Sequence, residues 1–150
     1  TLTTEICLLI NSKPKLITRL RSRVEKGVSG GVTLLGTVAG LLGSVAIALV
    51  ALALHLVNAP GILSGVSDFQ RLLVACSTSG FLGMIADSLL GATVQEAYVS
   101  KADGRLREKP AKHGEYVLAK GVRGFDNHVV NFASNLIAGL LGVMIYILTA

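Results

Sequence analysis

The sequence predicts an all-α, polytopic helical membrane protein with three full transmembrane helices preceded by a partial N-terminal helix. Three observations carry that expectation. Val32–Val57, Arg71–Val94 and His128–Ala150 each supply more than the ~20 mostly apolar residues that a bilayer crossing needs. The chain is 51% hydrophobic and only 15% charged, with a mean hydropathy of +0.64, whereas a soluble domain carries about a quarter charged residues. The basic residues are also segregated. Six of the 14 Lys/Arg lie in Lys13–Lys26 and seven in Lys101–Arg123, leaving Arg71 alone elsewhere. Three crossings put both basic segments on one side, which the positive-inside rule makes the cytoplasm or its topological equivalent in an organelle.

Thr1–Ile10 reads as the last turns of a helix, too short to span alone. Thr1 and Glu5 are i,i+4 neighbours, giving it a polar face with a carboxylate. The chain begins on Thr rather than Met, which reads as a fragment or processed product of a longer protein. Asn11–Arg23 follows as a basic surface segment broken by Pro14. Two roles suit Lys13, Lys15 and Arg19 equally on residue type: contact with anionic headgroups or capture of phosphate groups.

Lys26–Gly40 is glycine-rich and leads into a helix, where backbone N–H groups and the helix dipole can face an anion. Gly30, Gly31 and Thr33 are the candidates for phosphate contacts. The segment is not a Walker A loop, because its Lys precedes the glycines. Gly36, Gly40 and Ser44 continue as a small-residue face suited to helix packing. His55 falls near the far membrane face as an interfacial residue. Asn58–Gln70 is a short, turn-rich link without Lys or Arg.

The second span holds Gly80, Gly83, Asp87, Gly91 and Gln95 at spacings of three and four, so they share one face. An ionisable residue within a span costs ~2.5–3.5 kcal/mol on insertion scales and reads first as functional. The alternative is a structural Asp bonded to a neighbouring helix. Gln95–Phe125 is a polar connection in which Gly104, Pro110 and Gly114 argue against one long helix. The last span opens with Asp126 at its mouth and an amide stripe, Asn127, Asn131 and Asn135. That stripe could bond across helices or help hold a hydrated cation with its phosphate ligands.

Several classes are excluded. The +5 formal charge comes without Trp and without basic residues interleaved with aromatics, so a nucleic-acid surface is not expected. Cys7 and Cys76 form no framework, and His113 lacks partners at zinc spacing. No Ser/His/Asp or Cys/His nucleophile arrangement is present. Glu5, Asp87 and Asp126 are hard oxygen ligands, and with cationic neighbours they suit Mg²⁺ shared with phosphates. Phosphoryl transfer needs chiefly positioning and charge neutralisation, which this inventory can supply.

Thr1-Leu-Thr-Thr-Glu5-Ile6, Lys13-Pro-Lys15-Leu-Ile-Thr18, Gly27-Val-Ser-Gly30-Gly31-Val-Thr33, Gly80-Phe-Leu-Gly-Met-Ile-Ala-Asp87-Ser-Leu-Leu-Gly91-Ala-Thr93-Val-Gln95 and Asp126-Asn127-His128-Val-Val-Asn131 occur in that order. Together they resemble the integral membrane family that includes phytyl-phosphate kinases of plants and cyanobacteria and transmembrane protein 19. The resemblance covers essentially the whole chain. It implies transfer of phosphate from CTP or another nucleoside triphosphate to a membrane-embedded prenyl monophosphate, giving the diphosphate. It also implies that residues 1–150 are one integral membrane domain, the C-terminal part of a longer one. Two departures stand out. Tyr98–Asp103 lacks the cysteines often found after the Gln motif. The last helix reads Asp126-Asn127-His128 where Asn-Asp-x-Val-Asn is common, leaving Asp126 to substitute as a ligand.

On this reading Glu5, Asp87 and Asp126 hold the metal, while Lys13, Lys15 and Arg19 neutralise phosphates. Gly30, Gly31 and Thr33 cradle the nucleotide, and Asn127 and Asn131 orient it, with Asp87, Glu5 and Asn131 central to the chemistry. The competing readings are a non-catalytic membrane subunit that retains an ancestral site and, behind it, a transporter. The transporter reading expects polar groups to continue across the span, whereas Val38–Leu54 and Leu136–Ala150 are almost wholly apolar. A homo-oligomer or larger membrane assembly, in a plastid, another organelle or the plasma membrane, is compatible with all of these.

Overall fold

The computed structural model describes residues 14–23, 29–58, 66–101, 104, 106–107 and 116–149. Three helices dominate: α1 (Leu34–Asn58), α2 (Val66–Thr93) and α3 (Asn127–Leu148). Each is long and apolar enough to cross a membrane. At 25 residues and 1.5 Å per residue, α1 is about 37 Å long, enough for a hydrocarbon core of about 30 Å. The helical membrane fold is therefore the one expected. α2 starts five residues earlier than the hydropathy pattern placed it, taking Val66–Gln70 from the link. Its first turn carries Asp68, which complements the helix dipole, and Asp68 pairs with Arg71 at 3.5 Å.

The chain forms two compact units. The first contains Leu34–Ile85 and Leu136–Ala150. Its buried residues are small, Ala48 and Ala75 among them, while Leu34, Val57, Ile47 and Leu148 are 70–85% exposed. That is the packing of a membrane protein: small residues let backbones approach, and large aliphatic ones face lipid. Gly40 leaves room for Met84, a Cβ on Gly80 would sit 3.1 Å from Ser44 Cβ, and one on Gly142 would sit 3.0 Å from Ser79 Oγ. The small-residue face on α1 is thus a packing face, as its spacing suggested.

The second unit comprises Ser12–Thr33 and Ala86–Asn135, and here the structure adds what hydropathy did not foresee. The basic segment and the polar connection fold into two small antiparallel sheets. The first has strand order β2-β1-β3, with β1 Lys15–Leu16, β2 Arg19–Arg23 and β3 Gly31–Val32. Lys15 pairs with both Arg23 and Val32, and the β1–β2 register shifts between Lys15 and Leu16. The second has order β5-β4-β6, with β4 Ala97–Ser100, β5 Leu106–Arg107 and β6 Tyr116–Lys120. Exposure alternates residue by residue along β6, the period of a half-buried strand.

These sheets are fastened to the ends of the membrane helices. Val122 N donates to Val94 O at 2.9 Å and Glu96 N to Phe125 O at 2.9 Å, so the chain leaving α2 pairs with the chain about to begin α3. Gly121, at φ +79°, lies so close to the Gln95 carbonyl that no side chain fits there. Glycine is required at that position on both counts.

A carboxylate held between two membrane helices

Asp87 is half-buried on α2 and inside the span Ser67–Thr93. Its Oδ1 accepts a hydrogen bond from Ser134 Oγ of α3 at 3.1 Å. Ser134 is 3% exposed, and its single proton has a second acceptor, the Asn131 carbonyl, also at 3.1 Å. Asp87 lies six residues from the end of α2 and Ser134 seven from the start of α3. Both therefore stand about 10 Å in from the helix ends at 1.5 Å per residue.

Beyond Asp87, α2 ends in Gly91-Ala-Thr93, and its last carbonyls need partners. Leu90 O accepts from Val94 N at 2.8 Å and from Gln95 N at 3.1 Å. Gly91 O accepts from Lys120 Nζ at 2.9 Å. The same ammonium donates to Ser29 O at 3.1 Å. A cation at a helix C-terminus is favoured by the dipole. Lys120 thus joins β6, the end of the Asp87 helix and the glycine-rich turn. Gln95 is 2% exposed, at the foot of the same helix.

The glycine-rich turn packs directly on this helix end. Gly30 has φ +83° and lies against the backbone and Cβ of Ala92, while a Cβ on Gly91 would come within 3.2 Å of Gly30 N. Two glycines facing each other allow this approach. Gly30 O also accepts from Ile17 N at 2.9 Å, which ties the turn to the basic hairpin. Gly31 is in β3, paired with Leu16. Thr33 precedes α1, the position of an N-cap.

Asp126 is the N-cap of α3. Its Oδ1 accepts from His128 N at 2.9 Å and Val129 N at 3.0 Å, and its carbonyl accepts from Val130 N at 3.1 Å. Asn127, Asn131 and Asn135 are exposed on α3, in keeping with a polar stripe that the neighbouring helix leaves uncovered. Lys15 and Arg19 are exposed on the first sheet. Glu5 and Lys13 lie outside the described residues. Among the described residues no three His, Cys, Asp or Glu side chains converge as a metal site. Mg²⁺ is commonly held by one or two carboxylates together with phosphates and water, a set to which Asp87 would contribute one.

Two residues here were not singled out by sequence. Ser134 lies three residues from Asn131 but on the buried side of α3, and no local pattern sets it apart from other helical serines. Lys120 carried no distinguishing signal, being one of seven basic residues in a polar stretch.

The fold and this site define a polytopic membrane protein with an ionisable, hydroxyl-bonded centre inside its spans and a unit of small sheets that carries exposed basic residues. Residues 1–139 match the family described as integral membrane protein DUF92, and the chain belongs to that family. It is 31% identical over 147 residues to an uncharacterized membrane protein of Methanocaldococcus jannaschii, covering 97% of this chain and 45% of that protein. It is 33% identical over 142 residues to Protein PGR of Arabidopsis thaliana, covering 94% of this chain and 48% of that protein. The chain thus spans about half the length of these curated relatives. No solved structure matches it.

Proposed function

We propose that the protein takes part in Mg²⁺-dependent phosphoryl transfer from a nucleoside triphosphate, CTP or a similar one, to a membrane-embedded prenyl monophosphate of phytyl type. The observation that carries this reading is the placement of Asp87. It is a carboxylate within a span, held by Ser134 of another span, in one unit with the hairpin that bears Lys15 and Arg19. A monophosphate oxygen of the acceptor attacks the γ-phosphorus, a new P–O bond forms, and the bond to the β-bridging oxygen breaks. The nucleoside diphosphate leaves with that electron pair, and the acceptor becomes a diphosphate. The attacking oxygen is already anionic near neutral pH, so no protein base is needed. A bound Mg²⁺ would supply charge neutralisation on the β- and γ-oxygens. Asp87 is the ligand for it that this structure supports, with Glu5 as a further proposed ligand. Asp126, the cap of α3 about 12 Å along that helix from Ser134, would hold a second Mg²⁺ on the phosphates rather than share this one. Lys13, Lys15 and Arg19 neutralise phosphate, Gly30, Gly31 and Thr33 border the nucleotide, and Asn127 and Asn131 orient it.

A second reading, a non-catalytic membrane subunit, is favoured by one pair of observations. Gly30 and Asp126 already have structural work, the one packed on Ala92 and the other capping α3. The deciding experiment follows γ-phosphate from labelled CTP and ATP to phytyl or geranylgeranyl monophosphate, using full-length protein in lipid with Mg²⁺. Diphosphate that forms with the native protein and vanishes with Asp87→Asn supports the kinase. A well-folded full-length protein that turns over neither nucleotide overturns it in favour of the subunit.

A further inference from the structure

Among the described residues, the exposed basic side chains of the first sheet have no acidic partner. Lys15, Arg19 and Arg21 are exposed, and among the described residues none of them has a salt bridge or hydrogen-bond partner on its side chain. Their position is fixed through backbone contacts inside one unit. β2 pairs with β1 and β1 with β3, so β2 runs about 10 Å from β3 at ordinary strand spacing. Gly30, immediately before β3, touches Ala92, which is one residue from the end of the α2 span. The basic hairpin is therefore moored to the end of a membrane span. That is the level at which the phosphate of an embedded lipid lies, since its chain occupies the hydrocarbon and its headgroup the boundary.

We infer that the β1–β2 hairpin is the seat of the lipid-borne phosphate: Lys15, Arg19 and Arg21 bind a phosphomonoester carried on a membrane-embedded chain, and not the free nucleotide. The inference deepens the phosphoryl-transfer reading and rests on it for the acceptor's identity, while its binding claim is tested separately. A phosphomonoester suits these groups better than a diester does, because it offers three terminal oxygens and up to two charges. Guanidinium groups take such oxygens two at a time, and an ammonium on the same hairpin adds a compact charge. A bland account also exists, in which arginines on an edge strand merely discourage pairing with another chain. That account predicts no preference among lipids.

The test uses the full chain in nanodiscs of phosphatidylcholine doped with dioleoyl phosphatidic acid, a phosphomonoester on embedded chains, or with dioleoyl phosphatidylserine, a diester. Lipid enrichment around the protein is read by mass spectrometry, and CTP and ATP binding by equilibrium dialysis. Native protein is expected to enrich phosphatidic acid over phosphatidylserine. The triple variant Lys15→Gln, Arg19→Gln, Arg21→Gln is expected to lose that affinity roughly 100-fold, taking each basic contact as a factor of about five, with nucleotide binding retained. The charge-conserving set Lys15→Arg, Arg19→Lys, Arg21→Lys controls for folding and should keep most of the enrichment. Equal enrichment of the two anionic lipids overturns the inference, as does a fall in nucleotide affinity that accompanies or replaces the lipid effect. If native protein binds phosphatidic acid selectively but transfers no phosphate, the phosphoryl-transfer reading fails while the binding site stands.

Discussion

The Ser134 hydroxyl lies 3.1 Å from Asp87 Oδ1 and 3.1 Å from the carbonyl of Asn131 in its own helix. One proton serves both acceptors only as a shared, bifurcated bond that is weaker to each. If it serves Asp87, Ser134 couples two spans; if it serves Asn131, it is an ordinary back-bonding helical hydroxyl. Hydrogen bonds between membrane helices average about 0.6 kcal/mol and reach about 1.7. Ser134→Ala should therefore destabilise the protein within that range when unfolding is followed in mixed micelles. The double variant Ser134→Ala, Asp87→Asn should show a non-additive cost. Strict additivity would assign the proton to Asn131 and leave Asp87 without this tether.

Gly30 and Gly124 separate backbone strain from crowding. Both have positive φ, +83° and +89°, but Gly30 abuts Ala92 whereas nothing lies within 4 Å of a Cβ on Gly124. An alanine in a left-handed conformation costs about 1–2 kcal/mol, a term shared by the two sites. Overpacking against backbone adds about 1–3 kcal/mol, at Gly30 alone. Gly30→Ala should accordingly lower the midpoint of thermal unfolding clearly more than Gly124→Ala does. Equal shifts would mean that the turn can move off α2 at little cost, and the mooring of the basic hairpin would be in doubt.

What could be read beforehand follows from how far each signal reaches along the chain. The three spans were legible because twenty or more apolar residues in a row permit few structures, and Asp87 was legible because a carboxylate stands out in such a run. Its partner was not. Ser44 and Ser79 bond back to carbonyls of their own helix, at 2.8 Å and 3.2 Å, and nothing local distinguishes Ser134 from them. The short strands were missed because two to five residues give periodicity little room, although Tyr116–Lys120 does alternate. The Lys120 contact with Ser29 crosses 91 positions, and no local pattern encodes it. Asp126 was legible as a carboxylate at a helix mouth. Its capping role is local chemistry that an N-cap reading of the same residue would have reached.

The phenol of Tyr98 supplies a pH-dependent signal outside the spans. Its hydroxyl donates to Glu96 Oε2 at 3.0 Å. That bond, then partial burial and the Glu96 charge, raise its pKa above the ordinary tyrosine value, with Arg123 acting in the opposite sense. Glu96 Oε2 also accepts from Gly124 N at 3.0 Å, so the carboxylate ties β4 to the turn before α3. Because the folded state holds the phenolic proton more tightly, this contribution is fully present below the unfolded pKa of about 10. It is lost as pH rises through the raised, folded value. Ultraviolet titration of phenolate, compared with Tyr98→Phe, should show Tyr98 ionising late, and Glu96→Gln should bring it back toward its ordinary range. A late component that survives Glu96→Gln would sever the signal from this contact.

Asp126 is the residue at which the structural and catalytic assignments can be separated most cleanly. As an N-cap it needs a side-chain oxygen that accepts from the amides of His128 and Val129, and the charge is secondary. Asparagine caps about as well as aspartate, whereas alanine costs ~1 kcal/mol. Asp126→Ala should therefore lower stability by about that amount, and Asp126→Asn should leave it nearly unchanged. A metal ligand has the opposite requirement, since a neutral amide is a much poorer partner for Mg²⁺ than a carboxylate. If Asp126 holds a phosphate-bound Mg²⁺ of its own, Asp126→Asn should keep the native unfolding midpoint and weaken Mg²⁺-dependent transfer, with partial recovery at higher Mg²⁺. Full activity in Asp126→Asn, beside a destabilised Asp126→Ala, would remove Asp126 from the metal site and leave it as the cap that starts α3.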